Sequence, residues 1–276
     1  YKALPGGDTD ANYYYETKDI DSVNAYFFFD EPDGKDYPGN LPPTAEVAKF
    51  RRLGEMDGLG SMAQLMVDYT RRIQHIAPDK GTFMIVNQTY KPDQYWMYGK
   101  IPDFTAPDVY PHTTGEDPYM ISQAMTTSRI AAMPRPMISV PDFVQQAFSR
   151  FYWERTVDPE ELDLRVLYTI AAGGKGVIWY AFDGSLQWTP ETEQRMAWMN
   201  GRLEIAGPVL EAGHPVPEEW ASSNRNELML RTLLCGNDTV VVTMINTNYQ
   251  ATGEGFSFEP IPDATVRVEL PRSMNI

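Results

Sequence analysis

The sequence contains very little cysteine or histidine. Cys235 is the single cysteine in 276 residues, so an internal disulfide and a zinc site built from several cysteines are both excluded. The three histidines, His75, His112 and His214, do not show the close spacing of a metal-binding histidine pair. We therefore expect no metal site in this chain.

Positive charge is also scarce, and no long apolar run is present. There are 23 lysine and arginine residues against 38 acidic residues, which gives a net charge of -15. A nucleic acid or an anionic membrane would be repelled by this charge, so neither partner is expected. No segment approaches the roughly 18 consecutive apolar residues of a membrane-spanning helix. With 42% hydrophobic residues, the chain has the composition of a globular protein, and a neutral substrate fits its charge better.

The most distinctive segment is AYFFFDEPD, residues 25–33. Its apolar residues predict a strand that is covered on both faces, as in a parallel sheet. Asp30 and Glu31 follow at the carboxyl end of that strand, which is the edge of a parallel sheet where ligands and catalytic groups collect. An ordinary polar exit from the strand is the alternative interpretation.

Predicted strands and helices alternate from residue 23 to residue 210, without a hairpin signal between them. Helices are predicted to begin at Thr44, at Ser61, after Asp158 and at Pro190, where capping residues precede apolar residues spaced three or four apart. Further strands are predicted at 82–87, 103–108, 136–142 and 176–182. This order is typical of parallel β/α architecture.

The pattern changes beyond Gly213. Residues 227–234, 239–246, 256–258 and 265–270 alternate in hydrophobicity and are separated by turns rich in glycine, asparagine and acidic residues. We therefore predict two domains: residues 1–212 with the parallel β/α architecture, and residues 213–276 as a small antiparallel β-domain.

Three parts of the sequence together resemble a known family. These are the strand ending in Asp30-Glu31-Pro32, the later DVYP segment at 108–111, and the block DPEELDLRVLYTIAAGGKGVIWYAFDG at 158–184. They resemble the C-terminal part of glycoside-hydrolase-like (β/α)8 TIM barrels followed by a β-sandwich. The resemblance implies that the five predicted strands are strands four to eight of the barrel. Since residues 1–22 are too few for three strands, the first three would come from the same precursor or from another chain.

The resemblance implies a carbohydrate-active hydrolase that cleaves glycosidic bonds in a poly- or oligosaccharide, without a cofactor, outside the cell or in the periplasm. In such barrels the acid at the end of the fourth strand is commonly the proton donor, which indicates Glu31. Hydrolysis also needs a second carboxyl group as nucleophile or base. Asp142 holds the place at the seventh strand end where a glutamate is usual, and Asp108 at the sixth strand end competes with it.

Residues at or just after predicted strand ends are candidates for contacts with a sugar, because aromatic rings pack against its C–H faces and polar groups bind its hydroxyls. Arg150 and Arg155 are the natural counter-ions for an anionic sugar, and nothing in the sequence decides whether one binds. Packing is the competing interpretation for the aromatic candidates, as helix capping is for His112. The candidates are Asp30, Asn87, Tyr90, Trp96, Tyr110, His112, Trp179, Tyr180 and Trp188.

Two other classes of protein remain open at this point. A non-catalytic carbohydrate-binding barrel would keep the aromatic residues but would not need a complete carboxylate pair. The aspartate in place of the usual glutamate at position 142 favours that alternative. A structural scaffold protein, with the β-domain as its docking module, is the third interpretation.

Overall fold

The computed structural model describes residue 14 and residues 16–33, 61–86, 92–143, 153–180, 189–216 and 220–270. These residues form a mixed α/β structure with helices and several sheets. The chain divides into two compact units, one of residues 1–108 and 130–137, the other of residues 109–129 and 138–276. The predicted domain boundary after residue 212 stays a prediction, and the helix predicted from Thr44 lies outside the described residues.

The first unit contains a three-stranded parallel sheet. Its strands lie in the order β1 (Ala25–Asp30), β2 (Gly81–Val86) and β3 (Phe104–Pro107). The rings of Phe27, Phe83 and Phe104 stack in a row across the three strands, with 5.2 Å between neighbouring ring centroids. The parallel pairing predicted for the aromatic segment is therefore confirmed, and β1 forms one edge of the described sheet.

The helix α1 (Ser61–Ile76) packs on the other face of this sheet. Tyr26 and Phe28 of β1 are buried there, in one cluster with Met66 and Ile73 of α1. These apolar residues recur on one side of the helix, as its three- and four-residue spacing predicted. Burying each such side chain contributes about 1.5–3 kcal/mol, so the sheet and helix hold the carboxyl ends of the strands in place.

The other described helices are shorter or belong largely to the second unit. The helix that follows Asp158 begins as predicted, because Pro159 occupies its first position and the backbone N–H of Asp158 donates to the Glu161 carboxylate at 2.9 Å. None of the helices in the described ranges is long and apolar enough to cross a membrane. The described helices other than α1 are α2 (Pro92–Tyr98), α3 (Pro111–Thr114), α4 (Tyr119–Ala132), α5 (Pro159–Ala171) and α6 (Pro190–Glu211).

The two predicted strands at 136–142 and 176–182 form isolated parallel bridges where the structure describes them. Ser139 is bridged to Val177 and Asp142 to Tyr180, with alternating backbone hydrogen bonds of 2.8–3.0 Å between the two segments. In the first unit a parallel bridge joins Thr105 of β3 to Met137. The prediction of continuous strands here was wrong, because prolines such as Pro141 have no N–H group to donate to a ladder.

The C-terminal part of the second unit contains the antiparallel strands. Two of the predicted segments form the longest hairpin, with Leu228 opposite Asn246 and Cys235 opposite Thr239. The strands predicted near 256–258 and 265–270 are also present, and three short strands were not predicted. One sheet has three strands, with β6 (Leu228–Cys235) between β4 (Gly213–Pro215) and β7 (Thr239–Asn246). Two further pairs are β5 (Ala221–Ser223) with β10 (Val266–Val268), and β8 (Tyr249–Ala251) with β9 (Phe256–Phe258).

Candidate functional site

Glu31 follows directly after the carboxyl end of β1. Its backbone N–H donates to the carbonyl of Ile85 at 3.1 Å and so continues the pairing of β1 with β2. The backbone then turns sharply, because Glu31 has a φ of +45° in the left-handed region. That conformation costs a residue with a side chain roughly 1–2 kcal/mol, and such strained positions cluster at functional sites. The side chain of Glu31 is half-buried.

Asp108 follows directly after β3 and lies at the same edge of the sheet. Its backbone N–H donates to the carbonyl of Val86 at 3.2 Å, and its side chain is only 3% exposed. Its Oδ1 is buried without a hydrogen-bond partner among the described residues. Burial first, then the neighbouring carboxyl group of Glu31 and the negative charges of Asp33 and Asp30, raise the pKa of Asp108 well above its ordinary value.

Two further acids accompany this pair. Asp30 is exposed at the end of β1, and partial removal from water followed by the charge of Glu31 raises its pKa. Asp33 is fully buried, and its backbone carbonyl accepts a long hydrogen bond of 3.5 Å from Nε2 of Gln94. Four carboxyl groups therefore influence one another at this end of the sheet.

The helix α2 brings two buried polar side chains to these acids. The hydroxyl of Tyr95 and Oε1 of Gln94 have no hydrogen-bond partner among the described residues, and each side chain is 1% exposed. Burial first, and then the charges of Asp108 and Asp33, raise the pKa of Tyr95, so its phenol is neutral. Sequence reasoning did not place Gln94 in the site, because it did not predict α2. The only signal was the Pro-Asp pair at 92–93, a common helix start.

Asp142 lies in the second unit, where its carboxylate is fully buried in an ion pair. Oδ1 accepts hydrogen bonds from Nη2 and Nε of Arg165 at 3.0 and 3.2 Å. Oδ2 accepts from the backbone N–H and the hydroxyl of Thr113 at 3.1 and 3.3 Å. Both oxygens are therefore already engaged by the protein, which gives Asp142 a structural role.

His112 belongs to the same buried region and is 1% exposed. Its Nε2 lies 2.8 Å from the carbonyl oxygen of Arg155, and because a carbonyl only accepts, Nε2 carries the proton. Nδ1 lies 4.0 Å from Oε1 of Glu161. Burial and the charge of Arg165 lower the pKa of His112, although the nearby acids oppose this. The predicted contact of His112 with a sugar stays a prediction, and the ring is enclosed by protein in this structure.

Arg155 and Glu161 form the other ion pair of this region. The guanidinium donates to both carboxylate oxygens, at 2.7 and 2.9 Å, and also to Asp158 at 3.0 Å. Burial would raise the pKa of Glu161, but the hydrogen bond from Arg155 and the charge of Arg165 outweigh it and lower that pKa. The charge of Arg155, one of the two predicted counter-ions for an anionic sugar, is thus already compensated.

The predicted aromatic candidates fall in different surroundings. Tyr110 and Tyr180 of the second unit are half-buried and stack, with centroids 5.0 Å apart and planes at 12°. Trp179 packs edge-on against Phe143, and its indole N–H donates to Asn200 at 3.1 Å. Trp96, on α2 of the first unit, is 55% exposed. The remaining candidates, Asn87, Tyr90 and Trp188, and also Arg150, lie outside the described residues.

The described residues contain no group of three or more histidine, cysteine or acidic side chains arranged to hold a metal ion. The acids near Glu31 are instead coupled to each other through their charges, and the raised pKa of Asp108 favours its protonated form at the end of the parallel sheet.

Comparisons with known proteins give structural similarity only. No protein-family model matches the sequence, and no curated protein matches it significantly. The structure resembles a β-galactosidase from the psychrophilic Marinomonas ef1, with a TM-score of 0.41, 11% identity, and coverage of 54% of this chain and 27% of that one. It also resembles a Bacteroides uniformis β-glucuronidase, with a TM-score of 0.41, 10% identity, and coverage of 65% and 22%.

A third similar structure is bee venom hyaluronidase, with a TM-score of 0.37, 10% identity, and coverage of 73% of this chain and 64% of that one. All three neighbours are glycoside hydrolases, and the similarity is one of fold at a low level. The chain spans 27% and 22% of the length of the first two neighbours.

Proposed function

We propose that this protein is a glycoside-hydrolase-like protein that cleaves glycosidic bonds in a poly- or oligosaccharide by carboxyl acid–base chemistry. The observation that supports this proposal most strongly is the coupled pair of carboxyl groups of Glu31 and Asp108, which directly follow the carboxyl ends of β1 and β3. Catalytic groups of α/β folds collect at that end of the strands. A proton donor that keeps its proton near neutral pH is what departure of a glycosidic oxygen requires.

Glu31 is the proposed proton donor, and Asp108 is its proton-holding partner. Because the pKa of Asp108 is raised, its carboxyl group keeps a proton to higher pH than an ordinary aspartate does. Asp108 is buried and cannot reach a substrate itself, whereas Glu31 is only half-buried. In the proposed reaction Glu31 passes the proton to the departing oxygen while the carboxyl group of Asp108 stabilises the carboxylate that remains.

The second carboxylate of the reaction is less well supported. The nucleophile or base of a glycosidase must reach the substrate or its attacking water, whereas the side chain of Asp108 is only 3% exposed. Asp108 is therefore not proposed as the nucleophile. Asp142 stays the predicted nucleophile or base, but in that role its carboxylate would have to give up hydrogen bonds from Arg165 and Thr113.

The fold proposal is that the parallel strands are the later part of a (β/α)8 barrel, followed by a small antiparallel β-domain. Its support is the parallel pairing of β1, β2 and β3 in chain order and the parallel bridges at Met137, Val177 and Tyr180. A location outside the cell or in the periplasm, where polysaccharides are met, belongs to the same proposal.

A non-catalytic carbohydrate-binding protein is the second candidate function. The engagement of both Asp142 oxygens favours it, because a binding protein needs no second reactive carboxylate. In that case the stacked pair of Tyr110 and Tyr180 and the exposed ring of Trp96 would supply sugar contacts without chemistry.

Hydrolysis of a panel of aryl glycosides and polysaccharides by the full-length protein and its Glu31→Gln variant tests the proposal. We expect the variant to lose about 10²- to 10⁴-fold in kcat, the usual contribution of a positioned acid. Asp21→Asn is the matched control, since Asp21 is exposed and its replacement removes one negative charge. Sugar binding without turnover in the unmodified protein would instead support the binding function, and a fully active Glu31→Gln variant would contradict the assigned role of Glu31.

A further inference from the structure

Negative charge is concentrated around Glu31. The charges of Glu31, Asp33 and Asp30 all act on Asp108 at the same end of the sheet. Among the residues that the structure describes, no lysine or arginine forms an ion pair with Asp30, Glu31 or Asp108. A ligand that enters this end of the sheet therefore meets uncompensated carboxyl groups.

Buried polar atoms on α2 show that the region around Glu31 is more than a solvated acidic surface. The Tyr95 hydroxyl and Gln94 Oε1 are buried without a hydrogen-bond partner in the described ranges. Leaving such groups unpaired is costly, and convergent polar groups of this kind orient ligands in binding sites. The two side chains offer one donor and one acceptor, which is what a sugar hydroxyl needs.

Three basic side chains of the described residues are engaged away from these acids. In the first unit, Lys80 donates to the carbonyl of Ile20, and Arg135 donates to the carbonyls of Ile101 and Pro102. In the second unit, Arg155 is neutralised by Glu161 and Asp158. None of these three cations balances the charge of Asp30, Glu31 or Asp108.

Resting on the proposed function, we propose that the Glu31 site selects sugars without an acidic group and rejects uronic acids, and that Asp30 enforces this selection. Asp30 is the most exposed of the four acids and lies beside Glu31, so it is the first charge that an approaching ligand encounters. Like charges brought together without compensation are strongly disfavoured in recognition, and this repulsion discriminates between ligands of the same shape.

Matched pairs of 4-nitrophenyl glycosides test the selection in the full-length protein. A glucoside and a glucuronide, or a galactoside and a galacturonide, differ only in a carboxylate at C6, and both anomers of each are assayed. We expect kcat/KM to be at least about tenfold higher for the neutral member, the factor that corresponds to a modest electrostatic penalty. Asp30→Asn is expected to narrow this ratio, and added salt is expected to narrow it too, because salt screens the repulsion.

The Asp21→Asn variant, with the same change in net charge at an exposed position, should leave the ratio unchanged. Equal or preferred turnover of the uronides, or an Asp30→Asn ratio equal to that of the control, would overturn the proposal. If no glycoside is hydrolysed, calorimetric binding of oligogalactosides and oligogalacturonides decides separately. Binding of the neutral oligomers alone supports charge selection although the proposed hydrolysis fails, whereas binding of the uronides or of neither overturns it.

Discussion

Arg165 forms a buried ion pair with Asp142 in the second unit, with Nη2 3.0 Å from Oδ1 and neither side chain accessible to solvent. A buried pair of this kind contributes little on balance, but removal of one partner leaves the other charge uncompensated. The backbone carbonyl of Asp142 also accepts from Nε of Arg165 at 2.8 Å, so the guanidinium fixes the segment after Pro141 as well.

The Asp142→Asn variant is expected to lose about 3–5 kcal/mol in free energy of unfolding, because Arg165 would then keep a buried charge without a counter-ion. Urea unfolding followed by circular dichroism measures this loss. Asp163→Asn is the control: Asp163 pairs with Arg195 where both side chains are partly exposed, so its replacement should cost no more than about 1 kcal/mol. Equal stability of the two variants would contradict the structural role of Asp142.

The turn after α5 depends on glycine at position 173. Its φ is +87°, and a Cβ atom there would lie 2.8 Å from Cδ of Pro215. Gly173→Ala is expected to cost roughly 2–4 kcal/mol in free energy of unfolding, from the left-handed backbone and from the clash together. Thermal and urea unfolding both report this change.

Gly201→Ala makes the same substitution where the opposite result is expected. Gly201 lies within α6, and a Cβ atom there would meet no other atom within 4 Å. Alanine should therefore stabilise the protein by about 0.5–1 kcal/mol, since glycine is a poor helix former. A stabilised Gly173→Ala variant would show that the turn after α5 is not built as described.

Local patterns predicted several elements of this fold closely. The helix predicted from Ser61 runs from Ser61 to Ile76, and the strand TVVVTMIN occupies Thr239–Asn246, because each segment carries its own hydrophobic period and its own end signals. The short helix α2, in contrast, has seven residues and no repeat long enough to detect.

The composition of the candidate site was only partly predictable. The carboxyl end of the aromatic strand pointed to Glu31, and the DVYP segment pointed to Asp108, but their electrostatic coupling joins residues that only the tertiary structure brings together. The same limit applies to Asp142. Its local sequence, between Pro141 and Phe143, is that of a strand end, while its ion-pair partner lies 23 residues further along the chain.

Asp108→Asn is expected to change how stability depends on pH. Because the pKa of Asp108 is raised in the folded protein, the folded state binds more protons than the unfolded state above about pH 3.9, and stability falls as pH rises towards the folded pKa. Asparagine resembles the neutral acid and removes this fall. The variant should therefore gain stability relative to the unmodified protein as pH rises, by at most about 1.4 kcal/mol per pH unit.

Urea unfolding at a series of pH values from 4 upwards measures this effect, at roughly unit intervals that begin just above the ordinary aspartate pKa. The exposed Asp21→Asn variant should follow the unmodified protein across the series. A stability difference between Asp108→Asn and the unmodified protein that stays constant with pH would contradict a raised pKa for Asp108.

His112 is expected to make the second unit sensitive to acid. Its pKa is lowered in the folded protein, so between that value and the unfolded value of about 6.5 the unfolded state binds more protons, and stability falls as pH drops below 6.5. His112→Gln keeps a donor for the carbonyl of Arg155 and removes this titration. The variant should lose less stability than the unmodified protein between about pH 7 and pH 5, as measured by urea unfolding. His75→Gln is the control, because His75 is exposed. If His112→Gln and His75→Gln lose stability equally over this range, the pKa of His112 is not lowered in the folded protein.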